Sequence, residues 1–255
     1  MAGVWVRGRL LVAFIFACLA ACSNSSGPSS QPATVATPVD PATAGRIRVQ
    51  VRYDGPLVKP KEIIMRSAPQ CAAAHSTPVF DESLLVEDGG LANVVVWIKG
   101  GLEGWTFLSP SEPVVIDQAG CLYSPRVVTA MVHQPVEFRN SDPEAHNVHG
   151  RPAVVRGWNF MMSRQGSTRT LTFDKPEIAV PIGCDIHPWM VGFVAVVPNP
   201  YAAVTSRDGR ATLENVPPGE YLLGFWHEKL GTKEQRVTVA PQASVDLTIT
   251  YSAAP

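Results

Sequence analysis

The period of the apolar residues constrains this chain most. In Arg46-Ile47-Arg48-Val49-Gln50-Val51-Arg52-Tyr53 every second residue is apolar, so Ile47, Val49, Val51 and Tyr53 share one face ahead of an Asp54-Gly55 turn. The pattern returns in Val245, Leu247, Ile249 and Tyr251, and Leu91 to Ile98 reads as a more continuously apolar strand. Further strands are expected at Val127 to Val132, Val136 to Asn140, Leu171 to Phe173 and Phe193 to Val197. No long segment carries a 3.6-residue period, so the expected fold class is all-β, with strands in packed sheets. Pro56 to Gly90 is irregular and yields no element from the pattern alone.

The chemistry concentrates in Gly183 to Val197, where Cys184, His187 and Met190 stand in C-x-x-H-x-x-M spacing just before a strand-forming run. A thiolate, an imidazole and a weak thioether are soft and borderline donors that suit copper in both oxidation states; blue-copper sites combine His₂Cys with a long axial Met. A second histidine is then required from a neighbouring strand. His146 is the candidate, in Asn140-Ser141-Asp142-Pro143-Glu144-Ala145-His146-Asn147. The competing reading makes Cys184 a buried thiol, Met190 a core methionine and the histidines ordinary hydrogen-bonded residues. That bland reading is the one adopted for His75, His133, His149 and His227.

With these motifs in view, roughly Pro113 to Pro198 resembles the cupredoxins, most closely the amicyanin and plastocyanin-like group. There a strand ending in Asn leads through a turn to a His-Asn pair, and a Cys-x-x-His-x-x-Met loop follows some forty residues later. The resemblance implies a Greek-key sandwich of two sheets and one copper ion, held by His146, Cys184, His187 and Met190. It implies that Asn147 pins the two ligand loops together. His187 would present its ring edge at the surface as the electron port, beside an apolar patch of Pro188 and Trp189. Pro188 has no N–H to give the Cys184 sulfur. Gly183 and Pro181 depart from relatives that carry a Tyr-containing strand before the cysteine. Met161-Met162 is assigned to packing rather than to a further Cu(I) site.

After Pro200, Asp208-Gly209 and Pro217-Pro218-Gly219-Glu220-Tyr221 resemble the hairpin turns of carboxypeptidase regulatory-like, or prealbumin-like, β-sandwiches. About 50 residues are too few for such a sandwich, so residues 46–112 are expected to supply its front. The cupredoxin-like stretch 113–198 is then inserted into it, or packed beside it, and residues 199–255 complete it. Three consecutive modules are the alternative organisation.

At the N-terminus, Arg7 and Arg9 precede an apolar run from Leu10 to Ala21, a secretory signal by its flanks and length. Leu19-Ala20-Ala21-Cys22 resembles the lipobox of bacterial lipoproteins, which implies lipid on Cys22 and, with Ser23 following, sorting to the outer membrane of a Gram-negative cell, facing the periplasm. Residues 1–21 are thus signal. Residues 22–45, rich in Ser, Pro, Ala and Thr, form a flexible tether. Of the five cysteines, Cys18 leaves with the signal, Cys22 takes lipid and Cys184 takes metal, so Cys71 and Cys121 are expected to form a disulfide. Closing a loop of about fifty residues contributes about 4 kcal/mol on the chain-entropy model. A metal site on Cys71 and His75 is the weaker alternative, for want of further ligands.

A formal charge of −1 gives no pull toward nucleic acid. No His-x-His pair stands where a multicopper oxidase needs one, and no C-x-x-C-H is present to attach haem. In His227-Glu228-Lys229-Leu230-Gly231, glycine replaces the second histidine of a zinc peptidase motif. The expectation is therefore no enzyme, but a one-electron carrier that meets a redox protein or enzyme partner. Copper buffering or delivery in the envelope is the alternative function, and an envelope scaffold a third.

Overall fold

A computed structural model describes residues 1–4, 35–56 and 59–253. The expected signal run, Cys22 and most of the tether lie outside those residues. The described part of the tether is not free at its end. Thr37 N donates to Thr106 O, and Thr43 O accepts from Gln242 N, so the chain is bonded to the folded body before its first strand begins.

The described residues are all β apart from one short helix. In order the elements are β1 (Gly45–Tyr53), α1 (Pro69–Ala73), β2 (Val86–Glu87), β3 (Gly90–Leu91), β4 (Val95–Gly100), β5 (Val114–Ala119), β6 (Leu122–Ser124), β7 (Val127–Met131), β8 (Val136–Asn140) and β9 (His146–Gly150). They continue as β10 (Trp158–Met162), β11 (Thr168–Leu171), β12 (Glu177–Gly183), β13 (Val191–Val197), β14 (Ala202–Val204), β15 (Arg210–Val216), β16 (Gly219–His227), β17 (Gly231–Val239) and β18 (Ser244–Tyr251).

The alternation in β1 has its physical reason in its neighbours. It pairs antiparallel with β15 and parallel with β18, in register from Arg46 opposite Ser244 to Tyr53 opposite Tyr251. One sheet thus joins strands from both ends of the chain. Opposite it lies the sheet β14-β4-β16-β17, and between the two are buried Ile47, Val49, Val51, Leu91, Ile98, Leu213, Leu223, Phe225 and Tyr251.

The run Leu91 to Ile98, expected to be one strand, is two. Leu91 belongs to the first sheet and Val95 to the second, and Asn93 turns the chain between them at φ 61°, a conformation asparagine tolerates. Thr205 braces that crossing, its hydroxyl donating to Leu91 O and accepting from Val94 N.

The middle of the chain forms the other pair of sheets, β10-β9-β12-β13-β7 and β11-β8-β5-β6, around Ile116, Phe138, Val148, Phe173, Val180, Ile182 and Val194. The expected strand at Leu171 to Phe173 lies earlier, at Thr168–Leu171, because Phe173 turns inward and meets Trp158 edge to face at 5.5 Å. A third cluster joins the two sandwiches through Val95 and Trp97 of β4, Val127 and Met131 of β7, and Ala195 and Val197 of β13. Arg126 and Glu228 lock that joint with paired bonds of 2.6 and 2.9 Å.

Of the segment that the sequence pattern left open, Pro56 to Gly90, residues 86–87 and 90 join the first sheet as β2 and the start of β3, while residues 59–85 stand outside all four sheets. That stretch is held by a lone bridge between Glu62 and Phe80, by buried Met65, and by the Cys71–Cys121 disulfide at α1.

Candidate metal centre

Three elements bring the site together at one end of the middle sandwich. His146 opens β9, Cys184 follows β12 directly, and Met190 ends the loop that enters β13. Gly183 pairs with both His149 and Val191, so β12 carries Cys184 between the two neighbouring strands. The loop is closed on itself. Cys184 N donates to Met190 O at 3.3 Å, and Met190 N to His187 O at 2.9 Å.

The donor atoms converge. His146 Nδ1 and His187 Nδ1 are 3.0 Å apart, Cys184 Sγ lies 3.9 Å from His187 Nδ1, and the three donors fall within 4.8 Å of one another in a buried setting. Met190 is buried in the same core cluster as Cys184. Among the described residues Cys184 is the one free cysteine.

Electrostatics match a cation-binding role. Burial acts against a charged His146, but Asp142 and the Cys184 sulfur outweigh it and hold the imidazole's pKa up at about 9. Burial likewise opposes the Cys184 thiolate, and His146 together with the N–H groups of Asn147, His187 and Ile186 brings its pKa below the ordinary thiol value. His187 is pushed down, first by burial and then by the charge on His146. His146 and Cys184 thus each favour the charged form of the other, in a buried set of donors that suits a soft cation.

Asn147 ties the His146 strand to the Cys184 loop. Its Oδ1 accepts from Asp185 N at 2.7 Å and from the Cys184 thiol at 3.3 Å, while its Nδ2 donates to Asp185 Oδ2 and Asn159 Oδ1. Asp185 is drawn to about pKa 2, chiefly by His149 and then Asn159. Two supports escaped the sequence reading. The Tyr123 hydroxyl, on β6, shares its one proton between Asn147 O at 2.9 Å and Gly183 O at 3.0 Å. Asp142 accepts from Gly120 N and Cys121 N while its Oδ2 lies 2.9 Å from His146 Nε2, fixing the ring that turns Nδ1 inward. Its position four residues before His146 was the available signal.

One expectation is corrected. His187 does not show its ring edge to solvent: the residue is 5 % exposed. Its Nε2 lies 3.6 Å from Cys71 Sγ, and Trp189 tilts against the ring at 5.2 Å while donating Nε1–H to Cys121 O. The 59–85 segment, fastened by its disulfide, covers the edge. Pro188 and Ile186 are exposed beside it, whereas Trp189 is half-buried.

The other histidines have ordinary partners or none. His75 Nε2 meets Gly120 O, His133 lies near Asp174, and His149 pairs with Asp185. His227 is fully buried, with Nδ1 accepting from Lys229 N and Nε2 without a partner among the described residues. Cys71 is in the disulfide, so it and His75 form no metal site in this state. Met162 is core and accepts from Gln118 Nε2, but Met161 is 57 % exposed rather than packed, because its neighbours in β10 alternate between the two faces.

No protein-family model and no curated protein matches the chain. Solved structures do. A Cu-containing nitrite reductase from Thermus scotoductus SA-01 is 28 % identical over 37 % of this chain and 24 % of its own, with a TM-score of 0.30. A mutant amicyanin in its Cu(I) form is 26 % identical over 33 % of this chain and 82 % of its own, with a TM-score of 0.30. A purple cupredoxin from Nitrosopumilus maritimus is 24 % identical over 33 % of this chain and 99 % of its own, with a TM-score of 0.29.

Proposed function

We propose that the protein is a type 1 copper carrier of single electrons, tethered through lipid on Cys22 to the periplasmic face of the outer membrane. The observation that carries this reading is the buried convergence of His146, Cys184 and His187 in a loop that Met190 closes. Copper, when bound, supplies a one-electron couple. His146, Cys184 and His187 would provide its strong donors, and Met190 a weak thioether.

The chain's own residues do the rest. Asp142 and Asn147 hold two of the ligands in place before metal arrives, so little rearrangement accompanies a change of charge. The covered His187 keeps water off the centre and directs electron exchange through the Cys71 and Trp189 layer rather than through a bare imidazole. The pairing of β1 with β15 and β18 supports the reading that residues 113–198 are an insertion in a second sandwich.

The test is a visible spectrum of the copper-loaded chain beside Cys184→Ser. Intense charge-transfer colour that vanishes in the variant is the expected result, because it depends on a copper–sulfur bond. A colourless native centre that exchanges copper freely would favour buffering or delivery instead, and full colour in the variant would remove Cys184 from the site.

A further inference from the structure

Each ligand imidazole has a second nitrogen, and behind them lies a second set of soft donors. His187 turns Nδ1 to His146, while its Nε2 has as its hydrogen-bond neighbour, among the described residues, only the sulfur of Cys71 at 3.6 Å. A disulfide sulfur is a poor partner for a buried ring nitrogen. Cys71 Sγ, Cys121 Sγ and a ring nitrogen of His187 lie within 4.8 Å of one another, all buried.

Much of what positions these groups does not depend on the S–S bond. Asp142 accepts from the N–H groups of Gly120 and Cys121, His75 Nε2 sits 2.7 Å from Gly120 O, and Trp189 Nε1 donates to Cys121 O. That turn needs left-handed backbone at both Gly120 and Cys121, so the carboxylate and the two rings hold a conformation the chain would otherwise leave. On the other side, Met65 is buried in the middle sandwich's core cluster and Ile63 and Ala68 pack against that cluster, anchoring the segment that leads to α1. Only one layer of chain lies over the sulfurs, since Gln70, Ala72, Ala73 and Ala74 around Cys71 are exposed.

We propose that the Cys71–Cys121 pair, once reduced, forms with His187 Nε2 a second soft-metal site that takes one Cu(I). Two thiolates and an imidazole are donors that select this ion. The step balances with a dithiol as reductant. Its two thiols exchange with the disulfide, the S–S bond breaks, the reductant leaves as its own disulfide, and one proton goes to each cysteine sulfur. Cu(I) binding then releases both thiol protons, with a third from Nε2 when Nδ1 already holds a metal. The site requires no Cys184, so it stands whether or not the electron-carrier reading holds; with both sites filled, His187 bridges them.

The experiment is an anaerobic Cu(I) titration against a competing chelator, on the mature chain and on Cys184→Ser, before and after dithiothreitol treatment and its removal. Reduction should add one tight equivalent in both proteins, with circular dichroism unchanged and X-ray absorption of the Cys184→Ser complex showing two sulfurs and one nitrogen. The Cys71→Ser/Cys121→Ser chain should show no added equivalent. No gain on reduction, the same gain in the double variant, a shell without nitrogen, or loss of the β-sheet signal before copper binds would each overturn the proposal. Failure of the carrier reading looks different: the oxidised native chain would take no coloured copper, whatever reduction adds.

Discussion

Removing the Glu228 carboxylate should loosen the joint between the two sandwiches more than any other single surface or loop change. Arg126 and Glu228 side chains are only 14 % and 7 % exposed, and they meet through two bonds of 2.6 and 2.9 Å, with Arg126 Nη1 also donating to Val191 O. In Glu228→Ala the guanidinium, 14 % exposed, keeps one carbonyl bond and only the more distant charges of Asp81 and Glu82. Breaking a buried pair from one side costs about 3–5 kcal/mol, because the remaining charge is uncompensated. For a folded body of this size that lowers Tm by roughly 10 °C. Thermal unfolding by circular dichroism measures it. The same physics requires Arg126→Met/Glu228→Met to be much milder than Glu228→Ala, since it leaves no charge behind. A single variant within about 1 kcal/mol of the native chain would refute the reasoning. So would a double variant as damaged as the single one, which would assign the effect to lost packing.

His227 should make the protein acid-labile before its carboxylates do. Burial first, then Arg126 and Lys229, holds its pKa down at about 4 against an ordinary 6.5, so the unfolded chain binds the proton more readily. Stability is therefore lost as pH falls from about 6.5 to about 4, by about 3 kcal/mol in all, and His227→Gln should flatten that slope in urea melts. Asp142→Ala should lower copper affinity about 10–100-fold in a chelator competition, since it frees His146 Nε2 and the Gly120-Cys121 turn together; an unchanged affinity would mean the ring is held elsewhere. Met190→Leu should keep copper and raise the reduction potential in voltammetry, as the oxidised state loses a weak donor, and loss of copper from the folded variant would contradict that role. Cys22→Ala should move the protein from membrane to soluble fractions without altering its spectrum, and retention in the membrane would argue against lipid at that residue.

What the sequence disclosed follows the range of the interaction. Alternation in β1 was legible because a sheet with one buried face must repeat every two residues. The Cys184, His187 and Met190 spacing was legible because one loop carries all three. Leu91 to Ile98 misled because a run buried in two different sheets has the same composition as a strand buried in one, and only Asn93 marks the crossing. The largest miss is the covered His187. Its ring is hidden by Cys71, more than a hundred positions away, in a segment with no period of its own that borrows its shape from one disulfide, one buried methionine and a few backbone bonds. The cysteine count pointed to that disulfide, but a count carries no direction, and nothing local could say that the bridge would be laid across the imidazole. Length is the reason as well as the obstacle: a segment of this kind has no face of its own to bury, so it is ordered where a pre-formed sandwich offers an apolar end, and here that end is the one where His146, Cys184 and His187 meet.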